Sequence, residues 1–161
     1  MNRRHTPVDS PIGTLTLVAE GDALVGVYME KQRHHPGEET FGPRDAEGFD
    51  DVIAQLGEYF DGKRTEFDVP LRMHGTDFQR KVWDALLEIP AGETRTYGDL
   101  AAGLGQPSAS RAVGLANGKN PISIIVPCHR VVGANGSLTG YGGGLPRKRF
   151  LLELERGGGL F

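Results

Sequence analysis

The sequence changes character near Leu71, where a strand-like pattern gives way to short helices with marked ends. Before this point, Leu15, Leu17 and Ala19 occupy every second position, a Gly-Asp turn follows at 21–22, and a second apolar run comes next. This pattern predicts a β-hairpin. Apolar residues then recur at helical spacing over about residues 46–60. We therefore predict an α/β (α+β) fold whose N-terminal domain, residues 1–71, packs this helix over the hairpin.

The remaining residues, 72–161, are typical of a mainly helical domain. A capping box predicts the start of each of the first two helices, at Thr76 with Gln79 and at Thr96 with Asp99. A third helix begins at Ser108 or Ser110 and stops at Asn117-Gly118. The second and third helices, joined by a tight turn, resemble a helix-turn-helix (winged-helix-like) unit that binds DNA. Helical hairpins are also common in proteins that do not bind DNA, so this pattern alone leaves both interpretations open.

Three further segments have recognisable patterns. Residues 31–45 are polar and non-periodic, which predicts a mobile connection. The β-branched run from 122 to 132 predicts a buried strand that breaks at Pro127 and turns at Cys128. Five glycines within residues 136–144 predict a loop that lets the backbone approach a ligand closely, and a last helix runs from Pro146 to Gly157.

The net charge of −3 conceals a division between the two halves. Residues 1–71 carry 7 basic and 14 acidic side chains and have a net charge of −7, whereas residues 72–161 carry 11 basic and 7 acidic side chains and have a net charge of +4. The basic excess lies mainly in Arg111, Lys119, Arg130, Arg147, Lys148, Arg149 and Arg156. This asymmetry favours a polyanionic partner for the C-terminal half, although a solvated basic face would have the same composition.

Several classes of protein are excluded by simple counts. One cysteine forms no intramolecular disulfide, and one cysteine with five histidines supplies no Cys₂His₂ or Cys₄ zinc framework, so we predict no metal and no cofactor. The longest apolar run falls short of a membrane span, and the polar N-terminus lacks the core of a signal peptide. We therefore expect a cytoplasmic protein that does not contact membranes.

The single cysteine, Cys128, is either an inert buried residue or a nucleophile. Pro127 places it at the end of an apolar run, and His129 and Arg130 supply basic neighbours of the kind that promote thiolate formation. On a regular strand the side chains of residues 128 and 129 would point to opposite faces, so their pairing requires a backbone turn or a bridging water. Glu155, near the end of the last helix, could orient His129 from its far side.

These residues occur within a longer recognisable pattern. Arg111-Ala112-Val113-Gly114, then Asn120-Pro121, then Pro127-Cys128-His129-Arg130-Val131-Val132 and finally Tyr141-Gly142-Gly143-Gly144 closely resemble the O6-alkylguanine-DNA alkyltransferases, also called methylated-DNA–protein-cysteine methyltransferases. The resemblance is strong from about residue 75 to 155 and looser before it. Some members of that family hold zinc in the N-terminal domain through cysteine and histidine, and this chain has no cysteine there.

The resemblance implies direct repair of double-stranded DNA that contains O6-alkylguanine, bound through its minor groove. The damaged base would rotate out of the stack, because the alkyl carbon is unreachable within it. The implied catalytic residues are Cys128 as alkyl acceptor, His129 as general base through water, Glu155 as its orienting partner, Tyr97 as hydrogen-bond donor to the guanine, and Asn120 as a hinge. The implied DNA-binding residues are Arg111, which would fill the space left by the base, with Ser110, Gly114, Lys119 and Arg130; the implied pocket residues are Val131, Tyr141, Gly142 and Gly143.

The product of such a transfer is a thioether, which no ordinary route returns to a thiol, so each molecule would act once. We expect a monomer, and whether it binds cooperatively along DNA is left open by the sequence. Two other functions remain as alternatives: a helix-turn-helix regulator or lesion sensor without chemistry, and a cysteine hydrolase that uses Cys128, His129 and Glu155.

Overall fold

A three-stranded antiparallel sheet forms the first part of the chain in the computed structural model, which describes residues 2–157. Its strands pair in chain order, β1 (Arg3–Val8) with β2 (Leu15–Glu20) and β2 with β3 (Ala23–Met29). The predicted hairpin is confirmed as β2 and β3. The sequence did not predict β1, because its residues are mostly polar and only their pairing with β2 identifies them as a strand.

Helix α1 (Asp50–Phe60) covers this sheet as predicted. Its buried residues Val52, Leu56 and Tyr59 belong to the same apolar core as the inward side chains of β2. The helix begins about four residues later than the sequence indicated, since residues 46–49 form a turn in which Gly48 has a φ of 83°. That left-handed conformation suits glycine and does not continue into an α-helix.

The segment 31–45, expected to be a mobile connection, instead packs against the sheet. It contains a 3₁₀ helix, Glu38–Thr40, and it fully buries Phe41, whose ring stacks on Tyr28 with 5.1 Å between ring centroids. The backbone N–H of His5 donates to the carbonyl of Pro43 at 3.1 Å. The sequence-based expectation was wrong because one aromatic anchor within a polar segment carries no periodic signal.

The second part of the chain contains four α-helices within the described residues 72–157. They are α2 (Asp77–Leu86), α3 (Tyr97–Gly103), α4 (Ser110–Gly118) and α5 (Leu145–Glu155). Both predicted capping boxes are present, at Thr76 with Gln79 and at Thr96 with Asp99. Helices α3 and α4 pack against each other as a helix-turn-helix pair, and the indole of Trp83 in α2 donates to the carbonyl of Ala116 in α4 at 2.8 Å.

The predicted strand from 122 to 132 is wrong for most of its length. Only β5 (Val131–Val132) is a strand, and it pairs in parallel with β4 (Arg95–Thr96). Residues 122–126 are buried but folded into turns, because the Asn120 side chain accepts from the N–H of Ile122 at 2.9 Å and donates to the carbonyl of Val126 at 2.7 Å. Asn120 thus takes over backbone bonds that a strand would make with a neighbour.

The two halves share one apolar core. Strand β3 meets the second half directly, since the N–H of Val27 donates to the carbonyl of Pro121 at 2.9 Å and the N–H of Ser123 donates back to the carbonyl of Val27. The turn that leads to Cys128 is therefore held against the edge of the N-terminal sheet. Within residues 2–157, no helix is both long and apolar enough to cross a membrane.

The capping box of α2 generates a test of local stability. Replacing Thr76 with Ala removes the hydroxyl that accepts from the N–H of Gln79, so we expect the free energy of unfolding to fall by about 1 kcal/mol. The measurement is urea denaturation followed by circular dichroism. Lys81→Ala, at an exposed position of the same helix, is the control and should change the value by less than about 0.5 kcal/mol. Equal effects of the two substitutions would show that the cap contributes nothing specific.

Candidate active site at Cys128

Cys128 lies at the start of a 3₁₀ helix, Cys128–Arg130, that follows Pro127. This turn replaces the regular strand on which residues 128 and 129 would diverge. The thiol is nearly buried, with 5% of the residue exposed, and it lines a cavity of about 150 Å³. The cavity wall includes Tyr141, Gly142 and Gly143 of the predicted pocket, Tyr97 and Asn120, for which other roles were predicted, and residues 32–34 of the N-terminal half.

His129 faces away from the cavity and toward the end of α5. Its Nε2 lies 2.6 Å from Oε2 of Glu155, and both side chains are inaccessible to solvent. The structure thus brings together the predicted histidine and carboxylate. The other ring nitrogen, Nδ1, is buried and has no hydrogen-bond partner within the described residues. A neutral imidazole that donates through Nε2 to Glu155 keeps a lone pair on Nδ1, which can accept a proton.

Arg130 does not face DNA as predicted, because its guanidinium is buried. It donates through Nε and Nη2 to the two carboxylate oxygens of Glu155, both at 2.9 Å, and through Nη1 to the carbonyl of Ile89 at 2.6 Å. A charge removed from water needs such partners, and all of those observed here are internal. Arg130 is therefore corrected from a DNA-binding residue to a buried partner of Glu155.

Glu155 also accepts a hydrogen bond from a residue that the sequence did not predict at the site. Tyr59 of α1 donates its phenolic O–H to Oε2 of Glu155 at 2.6 Å. Its helical spacing indicated only that it packs in the core, and no sequence signal distinguishes a core tyrosine that also donates a hydrogen bond. The carboxylate of Glu155 thus accepts hydrogen bonds from Tyr59, His129 and Arg130.

The protonation states follow from these contacts. Burial raises the pKa of Glu155, but its hydrogen bonds and charge interactions with His129 and Arg130 outweigh burial and hold the pKa at about 2. Burial lowers the pKa of His129, and the interaction with Glu155 opposes that shift without cancelling it. Glu155 is therefore an anion and His129 a neutral base at physiological pH.

Burial is the largest effect on the Cys128 thiol and raises its pKa above the ordinary value. Interactions with Asn120, the positive charge of Lys148 and Tyr141 oppose that shift without cancelling it. Lys148 is fully buried in α5, where its Nζ donates to the carbonyls of Val131 at 2.6 Å and Thr139 at 2.8 Å. Burial lowers the pKa of Lys148 to about 8.

Lys148 was counted among the basic excess of the C-terminal half, and its buried position was not predicted. A signal was available: Lys148, Leu151, Leu152 and Glu155 recur at spacings of three and four, so they share the inward face of α5. Its neighbour Arg147 is also used internally, since it donates to the carbonyls of Ile12 at 3.1 Å and Glu30 at 2.6 Å.

Of the remaining residues predicted near the alkylated base, Tyr97 and Gly143 line the cavity, whereas Val131 does not. Tyr97 is half-buried at the cavity, and its hydroxyl accepts from Thr139 Oγ1 at 3.3 Å, which leaves its own proton available to another acceptor. Gly143 lies close to two side chains, since a Cβ there would approach the sulfur of Met29 to 2.4 Å and the ring of Tyr141 to 2.9 Å, so a larger residue would force them to shift. Val131, by contrast, is absent from the cavity wall: its side chain is fully buried in the core, and only its carbonyl is used, by Lys148.

Helix α4 presents an exposed face beside the cavity. Arg111, Ala112, Leu115 and Lys119 are exposed, and Leu115 retains 63% of its accessible surface. Ser110 lies half-buried at the start of the helix and Gly114 at the cavity wall. An exposed cationic and apolar helix face at the mouth of a cavity suits an elongated anionic partner that inserts a group into that cavity.

Comparison with known proteins decides the family. Residues 77–157 match the model described as 6-O-methylguanine DNA methyltransferase, DNA binding domain, and residues 4–73 match that of its ribonuclease-like domain. The chain belongs to the methylated-DNA–protein-cysteine methyltransferase family. A relative from Mycobacterium tuberculosis with that name is 58% identical over 152 residues, which cover 94% of this chain and 92% of the relative.

Other members of the methyltransferase family agree with this assignment. The relative from Methanosarcina acetivorans is 52% identical over 147 residues, which cover 91% of this chain and 94% of the relative. The crystal structure of Mycobacterium tuberculosis OGT in complex with DNA superimposes with a TM-score of 0.90 at 55% identity, and the match covers 96% of this chain and 93% of that one. The described fold is thus that of the family.

The positive charge of Lys148 predicts a measurable change in the Cys128 thiol when that charge is removed. Lys148→Met keeps a long side chain but removes the charge that lowers the pKa of Cys128, so we expect the pH midpoint of thiol alkylation by iodoacetamide to rise. Two carbonyls also lose their donor, which should lower the free energy of unfolding by about 1–3 kcal/mol. Arg149→Met, at the exposed neighbouring position, is the control. An unchanged midpoint in the folded Lys148 variant would contradict this electrostatic role.

Proposed function

We propose that this protein repairs O6-alkylguanine in duplex DNA by transferring the alkyl group to Cys128 in a single irreversible event. The observation that carries the proposal is a single cysteine at a cavity wall, followed in the chain by a histidine whose ring is bonded to a buried carboxylate. The high identity to relatives named methylated-DNA–protein-cysteine methyltransferase supports the same reaction.

DNA would lie along the exposed face of α4. Arg111 and Lys119 supply positive charge there, and Leu115 supplies an apolar contact. By resemblance to the family, the contact is made in the minor groove, and Arg111 enters the stack in place of the rotated guanine. Extrusion costs least at a lesion that already pairs badly, which favours damaged over intact sites. Ser110 and Gly114 would support the same contact from the start and the inner side of the helix.

The chemistry begins with the thiol proton. It passes through a water to Nδ1 of His129, whose Nε2 remains bonded to Glu155. The thiolate then attacks the alkyl carbon, so that the S–C bond forms as the C–O6 bond breaks and its electron pair leaves with the guanine. Asn120 and Lys148 stabilise the thiolate, and Asn120 also holds the turn that carries Cys128.

The leaving guanine gains negative charge as the bond breaks. Tyr97 lies at the cavity wall with its own proton available, because its hydroxyl accepts from Thr139. It would donate that proton or a hydrogen bond to the departing base, which stabilises the leaving group. Tyr141, Gly142 and Gly143 would form the wall beside the base. The thioether that remains cannot be reduced, so no second turnover follows.

The proposed substrate also bears on where the protein acts. Its relatives come from bacteria and archaea, in which the DNA lies in the cytoplasm, so we place the protein there. One thiol accepts one alkyl group, and the cavity is built from one chain, so a monomer is sufficient for the reaction.

The stoichiometry of transfer tests the proposal. Incubation with a duplex that carries radiolabelled O6-methylguanine should place the label on Cys128 and stop at one label per molecule. Cys128→Ser should bind the lesion and acquire no label, since a serine hydroxyl is a far weaker nucleophile. Binding without label in the wild type would indicate a lesion sensor. Repeated turnover of an ester or amide substrate would indicate a hydrolase instead.

The role of Arg111 is tested by comparing two substrates. Arg111→Ala should slow transfer from the duplex by at least about tenfold, which corresponds to about 1.4 kcal/mol, because the extruded base is no longer replaced. Transfer from free O6-methylguanine base, which needs no extrusion, should keep its wild-type rate. Lys63→Ala, at an exposed position beyond α1, is the control for loss of one positive charge. Equal slowing with both substrates would remove the extrusion role from Arg111.

A further inference from the structure

We propose that Tyr59, on helix α1 of the N-terminal half, is a positioning residue for alkyl transfer that sets the basicity of His129 through Glu155. The inference rests on the proposed function. It assigns a part of the proton relay to a residue 96 positions away in the chain from the carboxylate that it contacts.

The geometry is that of a short, buried hydrogen bond. The phenolic oxygen lies 2.6 Å from Oε2 of Glu155, the same oxygen that lies 2.6 Å from Nε2 of His129. Tyr59 is 2% exposed, so water does not compete for either group. When Tyr59 donates to Oε2, it lowers the negative charge on that oxygen, and this directly weakens the interaction of the same oxygen with His129.

The phenol of Tyr59 stays protonated at physiological pH and therefore remains a hydrogen-bond donor there. Burial raises the pKa of Tyr59 far above its ordinary value, and the charge of Glu155 and the hydrogen bond to it raise it further. Its effect on the carboxylate therefore has one sign: by donating, it withdraws negative charge from Oε2 and weakens the attraction of Glu155 for an imidazolium.

The pKa of His129 also depends on the other charged and titratable groups around His129 and Glu155. His129 faces Glu155, Arg130 and Lys148, of which Glu155 favours the imidazolium and the two cations oppose it. Glu155 faces His129, Arg130 and Tyr59. Tyr141, on the cavity side, interacts electrostatically with Tyr59, Glu155 and Cys128. Of these groups, only Tyr59 acts on Glu155 from the N-terminal half.

The direction of the effect follows from the role of His129. The base must be neutral to accept the thiol proton, so the transfer rate falls when the pH drops through the pKa of His129. Loss of the Tyr59 donor returns negative charge to Oε2 and raises that pKa. The acid limb of the rate profile then moves to higher pH.

The test is the pH profile of single-turnover methyl transfer from a saturating labelled duplex. Tyr59→Phe removes only the hydroxyl, and we expect its acid limb to move up by about half a pH unit, so that the rate on that limb falls roughly threefold. Tyr28→Phe is the matched control. Tyr28 is a half-buried tyrosine of the N-terminal half that stacks on Phe41 and does not contact Glu155. NMR titration of the His129 ring should show the same shift.

A second variant protects the test against a folding defect. Site-specific incorporation of 3,5-difluorotyrosine at position 59 keeps the ring and the hydroxyl but makes the phenol a stronger donor, so the acid limb should move down. A purely structural role would change the free energy of unfolding in Tyr59→Phe and leave both profiles at the wild-type position, which would overturn the inference. Absence of methyl transfer in the wild type would instead reject the proposed function.

Discussion

The carboxylate of Glu155 is the interaction on which the site depends. It lies at the C-terminal end of α5, where the helix dipole disfavours a negative charge, and its side chain is inaccessible to solvent. Such a group is tolerated only when donors from other elements surround it. The donors come from α1, through Tyr59, and from the 3₁₀ helix that carries the cysteine, through His129 and Arg130. One buried charge thus fixes the relative positions of three elements.

Several basic side chains of the C-terminal half likewise donate to acceptors inside the protein. The C-terminal half carries a net charge of +4, yet Arg130 and Lys148 are buried and Arg147 donates to backbone carbonyls of the N-terminal half. Of the basic residues of the C-terminal half, those exposed beside the cavity are Arg111 and Lys119, and exposed Arg33 of the N-terminal half adds a further positive charge at the cavity wall. A count of basic residues therefore overstates the surface available to DNA. The stronger indication is that Arg111 on α4 and Lys119 directly after it are both exposed.

Local patterns allowed much of the fold to be predicted. The hairpin, the capping boxes and the glycine-rich loop depend on residues close in the chain. The sequence also singled out Cys128, His129 and Glu155, because the motif places them in a recognisable order, and the structure brings the last two into contact. The turn before Cys128 was predicted wrongly, because a β-branched buried run looks the same whether a neighbouring strand or the Asn120 side chain satisfies its backbone. Ile124 even adopts a φ of 74° there, which costs about 1–3 kcal/mol and has no local signature. Tyr59 and residues 32–34 reach the site only through tertiary packing.

The contact between Tyr59 and Glu155 also limits how the two halves can be recombined. A chimaera that joins residues 72–161 to an unrelated N-terminal half would place a buried carboxylate against a surface with no matching phenol. If the proposed function holds, such a hybrid would keep the exposed face of α4 for DNA while the proposed proton relay lost the donor on Glu155. Exchange of halves between proteins of this architecture therefore has to preserve a single hydroxyl at the junction as well as the fit of the apolar surfaces.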